Sequence, residues 1–392
     1  MSGLDLFAAD FKANPYPVYA QLRQFSPVRP VEVPTGRLWL VTRYAEARQA
    51  LTDPRLVKNA AAVGGALGVD QSQQMINQHM LSADPPAHTR LRRLVSKVFT
   101  AGRIEALRPR IRDIAESLVA GLDGREQADL VAEFAFPLPL TVICELLGVP
   151  MEDRDSFREW SNTMVAGMAS GRSTAAANAA LGQYILALIA DKRANLGDDL
   201  LSELIAVRHE SDRLSERELV SMVFLLLIAG HETTVNLISN GLYLLLTHPE
   251  AHRKVQADPG LIPAAVEEFL RYESPVETTT PRFAAEPVEL GGVTIPAGEV
   301  VLVSLSSVNR DEGRFAEPDR FDVTRADSSH MAFGHGIHFC LGAPLARLEG
   351  QVAFETLLAQ LPDLALAVPA EELAWRPGIL IRGLVDLPVR LR

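Results

Sequence analysis

Between Ser215 and Pro249 the chain carries an almost unbroken apolar run whose flanks mark it as one helix. Ser215-Glu216-Arg217-Glu218 reads as a capping box, the run reaches Thr247, and Pro249 ends it. About 30 residues at the standard rise span roughly 45 Å. A helix that long and apolar on nearly all sides is expected to run through the protein's centre, with the other elements wrapped around it. Its middle breaks the pattern. Ala229-Gly230-His231-Glu232-Thr233-Thr234 places polar groups where each unpaired one costs a few kcal/mol, on the order of 2–7. Gly230 removes a side chain where a ligand could approach the backbone, while Glu232 and the hydroxyls could pass protons to a bound species. The competing reading is that Thr233 and Thr234 bond back to carbonyls one turn earlier. A zinc-protease His-Glu-x-x-His is excluded, because Val235 stands at the second histidine position.

Around this helix the sequence predicts a helix-rich fold with minor sheets, an α+β chain that is mainly α. A helix over Pro17 to Phe25 and a β signal at Leu38 to Thr42 open the chain, and helical patterns dominate from Asp84 to Leu270. Asp84-Pro85-Pro86 reads as a helix start with Asp84 as N-cap. Val288 to Ile295 carries a hairpin signal and Val300 to Leu305 a strand. Residues 1–392 are expected to form one domain, with a β-containing N-terminal part over about 1–60, since the candidate sites draw on residues from 88 to 340. Two cysteines cannot build a disulfide framework and fit a reducing compartment. Met1 to Lys12 has no stretch of signal-peptide length, and Val220 to Ala229 is about half the ~20 residues of a membrane span. A cytoplasmic protein with no membrane partner is expected. The net charge of −11 argues against nucleic-acid binding.

Cys340 lies in Phe333-Gly334-His335-Gly336-Ile337-His338-Phe339-Cys340-Leu341-Gly342, directly before an expected helix from Ala343 to Gln360. The glycines allow a tight loop whose amides converge on one sulfur, and the helix start adds to them, so the sulfur is expected to be held as thiolate. Flanked by Phe333 and Phe339, it suits a soft metal centre, above all haem iron; the alternative is an ordinary buried cysteine. Glu268 and Arg271, three apart on one helix, can bond each other or sit as a solvated pair. His88 and Arg92 share a helical face suited to a carboxylate such as a haem propionate, with Arg282 and His338 completing a cationic set; Arg90, Arg93 and Lys97 are expected to point outward.

Taken together these motifs resemble the haem-thiolate monooxygenases, the cytochrome P-450 superfamily, in the style of its soluble bacterial members that hydroxylate macrolides, polyketides or steroids. The cysteine signature is matched by Phe333, Gly336, Cys340 and Gly342, the Glu-x-x-Arg pair by Glu268 and Arg271, and the oxygen-activating acid and alcohol by Glu232 and Thr233. The resemblance implies a triangular prism with the long helix over the haem. It implies haem b ligated by Cys340, contacts to it from His88, Arg92, Ala229, Gly230, Arg282, Phe333, Gly334, His338 and Gly342, and a structural role for Glu268 and Arg271 with the Asn309 to Phe321 segment. The implied reaction inserts one atom of O2 into a C–H bond of a bulky apolar molecule of macrolide, polyketide, terpenoid or steroid type. Met164, Met168, Phe224, Val276, Thr279 and Ile379 are expected at the pocket wall. Electrons are expected from a ferredoxin and its reductase, with NAD(P)H as donor, docking near Arg93, Lys97, Arg103 and Arg347. Epoxidation, demethylation and oxidative coupling are alternative outcomes of the same chemistry; a haem-binding sensor without turnover is the reading from another class.

Overall fold

The central helix runs from Glu216 to Thr247, 32 residues, and starts as expected. Ser215 Oγ accepts from the Glu218 amide at 3.4 Å, and Glu218 Oε2 accepts from the Ser215 amide at 2.8 Å. The computed structural model describes residues 4–34, 36–60, 77–150, 153, 156, 157, 159, 160, 163, 174–207 and 212–392. Among the described residues, the α-helices Pro137–Leu146, Ala175–Ala194, Ile262–Tyr272 and Ala343–Gln360 pack most extensively on the central one. Small residues let two of them come close. A Cβ at Gly241 would lie 2.5 Å from Phe354 Cζ and 2.7 Å from Phe269 Cδ2, and one at Gly350 would lie 3.2 Å from Leu237 Cδ2. Leu237 to Gly350 and Gly241 to Phe354 keep the same sequence offset, so the central helix and the helix after Cys340 run parallel.

The strands are β1 (Val28–Val33), β2 (Gly36–Val41), β3 (Leu56–Val57), β4 (Gln127–Asp129), β5 (Arg282–Ala284), β6 (Val288–Leu290), β7 (Val293–Ile295), β8 (Val300–Val303), β9 (Ala365–Leu366) and β10 (Pro388–Arg390). One sheet has the order β1-β2-β8-β5-β3, parallel only between β2 and β8. Its edge positions the site: Leu56 pairs with Ala284 and Val57 with Phe283, which brings Lys58 beside Arg282 across more than 220 residues of chain. A second sheet, β4-β10-β9, closes the C-terminus, and β6 and β7 form the expected hairpin, turned by Gly291 and Gly292 at φ +59° and +79°.

Glu268 and Arg271 are a buried pair rather than a surface one. Arg271 donates to both Glu268 oxygens at 2.7 and 2.8 Å, and also to the carbonyls of Asn309 (3.0 Å), Pro318 (2.8 Å) and Arg320 (3.2 Å). Asn309 passes this order on, its Oδ1 accepting from the Met331 amide at 2.7 Å just before the cysteine loop. Asp84 is not the side-chain cap expected. The helix runs Ala87–Ser96 after Pro86, and the Asp84 carboxylate accepts instead from the Lys58 and Asn59 amides, because the sheet edge brings unpaired donors to it.

Candidate active site

The cysteine loop is tied by short backbone bonds: Gly334 N donates to Met331 O (2.8 Å), Phe339 N to Gly336 O (3.0 Å), and Cys340 N to Phe333 O (2.9 Å). Gly334, at φ +73°, and Gly336 both need glycine, and Gly336 is the more tightly constrained. Its φ is +76°, and a Cβ there would meet Leu51 O at 2.8 Å. Gly342, expected to share that role, has φ −80° and any Cβ would only reach ordinary contact with Cys340 Sγ, 3.9 Å. The Cys340 sulfur does face the amides of Gly342 and Ala343 at the start of the Ala343–Gln360 helix. Yet burial pushes its thiol above the ordinary value, outweighing those amides and the charges of Arg92 and Arg347. The amides and these charges nonetheless act in the direction of a thiolate, and a coordinating metal deprotonates a thiol outright. Surrounding chain crowds Cys340 enough to cause this shift, while the residue keeps an accessible side. Cys340 and Ala229 of the otherwise mostly buried central helix are both exposed, which marks a hollow between them.

The central helix borders that hollow. Two turns back from Leu237 and Gly350, the parallel register brings Ala229 and Gly230 level with Gly342. Ala229 is exposed and Phe224, Gly230 and Thr233 half-buried, although His231, Glu232, Thr234 and Val235 around them are buried. Thr233 Oγ1 donates to Ala229 O at 3.0 Å, the back-bond that was the competing reading, and its oxygen lone pairs stay free for a second partner. His231 has its Nδ1 2.7 Å from Leu227 O and packs edge-on between Phe136 and Phe157. Glu232 is buried with Oε1 accepting from Arg376 Nη1 at 2.5 Å. No local sequence signal ties Arg376 to Glu232, 144 positions away.

Beside the cysteine loop the cations gather. His88 and His338 stack with ring centroids 4.4 Å apart. Both ring nitrogens of His88, and Nε2 of His338, are buried without a hydrogen-bond partner among the described residues. Burial, with His88, Arg282, Lys58 and Arg92 adding repulsion, drives His338 down to about 3; burial and Arg92 lower His88. Arg282 spends two donors on the carbonyls of Leu56 (3.1 Å) and Leu51 (3.3 Å), which fixes its fork. Lys58 and His79 also belong to this set and had no motif to reveal them. Lys58 donates to Thr280 Oγ1 (2.5 Å) and Pro281 O (2.9 Å), and burial with the Arg282 charge lowers it to about 7. Among the described residues the nearby carboxylate is Asp84, and it is occupied by backbone amides. Unpaired imidazole nitrogens among mutually repelling cations call for an anionic guest, and a haem with two propionates beside a cysteine ligand fits this donor set. Of the residues expected to point outward, Arg93 is exposed, while Arg90 pairs with Asp212 and Glu218 at the start of the central helix.

Two loops supply further wall. Val276 bridges Ile381, Glu277 N donates to Leu380 O at 2.8 Å, and Thr278 Oγ1 donates to Ile379 O at 2.8 Å. Glu277 and Thr278 are buried, whereas Val276, Thr279 and Ile379 are half-buried. Thr279 Oγ1 accepts from the Val303 amide at 3.2 Å, so its hydroxyl is engaged with β8. Met164 and Met168 lie outside the described residues.

The family model for cytochrome P450 matches residues 10–259 and 260–361. The chain is a cytochrome P450. It is 51% identical over 394 residues to the vitamin D(3) 25-hydroxylase of Pseudonocardia autotrophica, covering 99% of this chain and 96% of that one. It is 49% identical over 397 residues to the cytochrome P450 monooxygenase PikC of Streptomyces venezuelae, covering 99% and 94%. Among solved structures, the cytochrome P450 PksS of the Bacillus subtilis 168 bacillaene polyketide synthase superposes with a TM-score of 0.94 at 40% identity, covering 99% of this chain and all of that one. The P450 fold, the haem cofactor and the monooxygenase class implied by the motifs are those of this chain. It acts on apolar small molecules with O2 and depends on a redox partner for electrons. Its long apolar helix would suffice to cross a membrane by length alone, but 67% of that window is buried within the P450 fold.

Proposed function

We propose that Cys340 would hold haem b through its thiolate, that His88, Arg92, Arg282 and His338 would receive its propionates, and that Ala229, Gly230, Phe333, Gly334 and Gly342 would border it. The observation that carries this is the Cys340 sulfur facing the Gly342 and Ala343 amides beside cations that have no free counter-anion among the described residues. Thiolate-ligated haem iron, when bound, supplies the activation of O2 for insertion of one atom into a C–H bond. The chain's own residues do the rest. Gly230 leaves the helix backbone bare beside the hollow, the Thr233 hydroxyl presents a proton there once it swings away from Ala229 O, and Glu232 is the acid behind it that replenishes the proton. Phe224, Val276, Thr279 and Ile379 hold the substrate and keep water out.

The substrate is a bulky apolar molecule of polyketide, macrolide, terpenoid or steroid-like type, a reading supported by the vitamin D(3) hydroxylase and the bacillaene enzyme among the relatives. The chain works as one domain in the cytoplasm, with ferredoxin, a ferredoxin reductase and NAD(P)H as electron source. On the docking face Arg103 and Arg347 are tied to Glu203 and Glu267, so the exposed Arg93 is the stronger candidate contact. The decisive variant is Cys340→Ser. It is expected to abolish the carbon monoxide difference spectrum of a thiolate-ligated reduced haem, together with substrate oxidation. A variant that keeps that spectrum removes Cys340 from the iron.

A further inference from the structure

The C-terminal segment around Arg376 does more than cover the core. It folds back as a hairpin: Arg376 N donates to Gly383 O and Val385 N to Ala374 O, both at 2.8 Å. One face of it is clamped to the central helix one and two turns beyond Glu232. Asn240 Nδ2 donates to Arg382 O at 3.0 Å, and a Cβ at Gly383 would lie 1.6 Å from Asn236 Oδ1, so no larger residue fits there. Its tip, from Ile379 to Ile381, is laced to Val276–Thr278. Between clamp and tip, Arg376 is pinned by its own Nε, which donates to Leu384 O at 3.2 Å, and its Nη1 meets Glu232 Oε1 at 2.5 Å. The two partners differ in solvent access. The Glu232 side chain is 6% exposed and that of Arg376 18%, and Pro377 next to it is exposed.

From this geometry we propose that Arg376 is a positioning residue that holds the Glu232 carboxylate at a solvent-facing notch of the C-terminal hairpin, and that this notch is where protons enter. The proposal rests on the reading of Glu232 as the acid behind Thr233. Each turnover takes a substrate C–H, O2, two electrons and two protons to an alcohol and water. The redox partner supplies the electrons, and the protons come from bulk water through a buried wall. A guanidinium keeps its own proton at any working pH, so Arg376 is not itself a relay. Its part is to fix one carboxylate oxygen toward water at the notch, where a carboxylate released from its partner would be free to turn into the hollow or be neutralised by burial.

The test uses the haem-loaded enzyme with a ferredoxin and reductase, and O2 consumption as the probe, in H2O and D2O. Arg376→Gln is expected to slow O2 consumption on the order of tenfold, the low end of general acid–base contributions being about a hundredfold, and to raise the solvent isotope effect to that of Glu232→Gln. Arg376→Lys, which keeps a cation in place, is expected to recover most of the rate. Urea denaturation of the two Gln variants and their double mutant gives an independent readout, with a non-additive cycle expected for a direct pair. If Glu232→Gln is slow but Arg376→Gln is not, the notch is wrong and the acid stands. If Glu232→Gln itself behaves as wild type, both readings fall. An Arg376→Lys variant as slow as Arg376→Gln makes Arg376 merely structural and overturns the proposal.

Discussion

Glu349, about two turns into the helix after Cys340, is 1% exposed, and its Oε2 has no hydrogen-bond partner among the described residues. With no cation to offset it, burial raises its carboxyl well above the ordinary value. The consequence has a sign. In the unfolded chain the carboxyl loses its proton near pH 4.5, while in the fold it keeps it, so raising the pH pulls on the unfolded state and wild type loses stability until the folded pKa is reached. Glu349→Gln, which mimics the protonated form, is expected to match wild type near pH 4.5. Above that it should become progressively more stable than wild type, by up to about 1.4 kcal/mol per pH unit, in urea denaturation across a pH series. A gap that stays constant with pH would mean the carboxyl is ionised in the fold. The same physics explains what the cysteine motif did not reveal. The residue type and glycine spacing around Cys340 are local and legible, whereas the balance between burial and amide dipoles at its sulfur depends on what the rest of the chain packs around it.

At the level of elements, the central helix was readable because its cap, length and apolar run are all contiguous. Its partners were not readable in the same way. The Glu268–Arg271 pair can be named from its i, i+3 spacing, but whether it is buried depends on the 309–321 segment folding over it and offering three carbonyls. Lys58 joins the cationic set only because β3 pairs with β5, a register that no short window encodes. Arg271→Ala leaves Glu268 buried with Arg325 and the Asp322 amide as its partners among the described residues. The expected cost is about 3–5 kcal/mol, with haem lost at lower denaturant concentration, because Asn309 would no longer hold Met331 before the cysteine loop. Chemical denaturation followed by both tryptophan fluorescence and haem absorbance checks it; unchanged midpoints would show the pair to be dispensable.

Across the whole molecule, a second charged cluster lies behind the pocket wall and joins both ends of the chain. Lys12 from the N-terminal helix Ala9–Ala13 donates to Glu277 Oε2 at 2.5 Å, and Tyr19 donates to Glu277 Oε1 at 2.8 Å. Arg382 donates to Glu273 and, at 2.7 Å, to Lys12 O. Arg310 lies 3.4 Å from the centre of the Tyr16 ring. Every partner here is more than a hundred positions away in sequence, which is why none of it could be read from motifs, and burial lowers Lys12 even though Glu277 opposes the shift. The cluster has a functional side, since Glu277 stands between Val276 and Thr279 at the substrate wall and is bonded through its amide to Leu380. Lys12→Met strands a buried carboxylate, so about 3–5 kcal/mol of stability is expected to be lost along with substrate affinity. Lys12→Met combined with Glu277→Gln removes the stranded charge and is expected to recover more than half of the stability. Urea midpoints and substrate-induced shifts of the haem spectrum measure the two effects together. If the double variant recovers stability but not binding, the Lys12–Glu277 pair shapes the pocket wall directly; if both recover, its influence on binding runs through the cost of the unpaired charge alone.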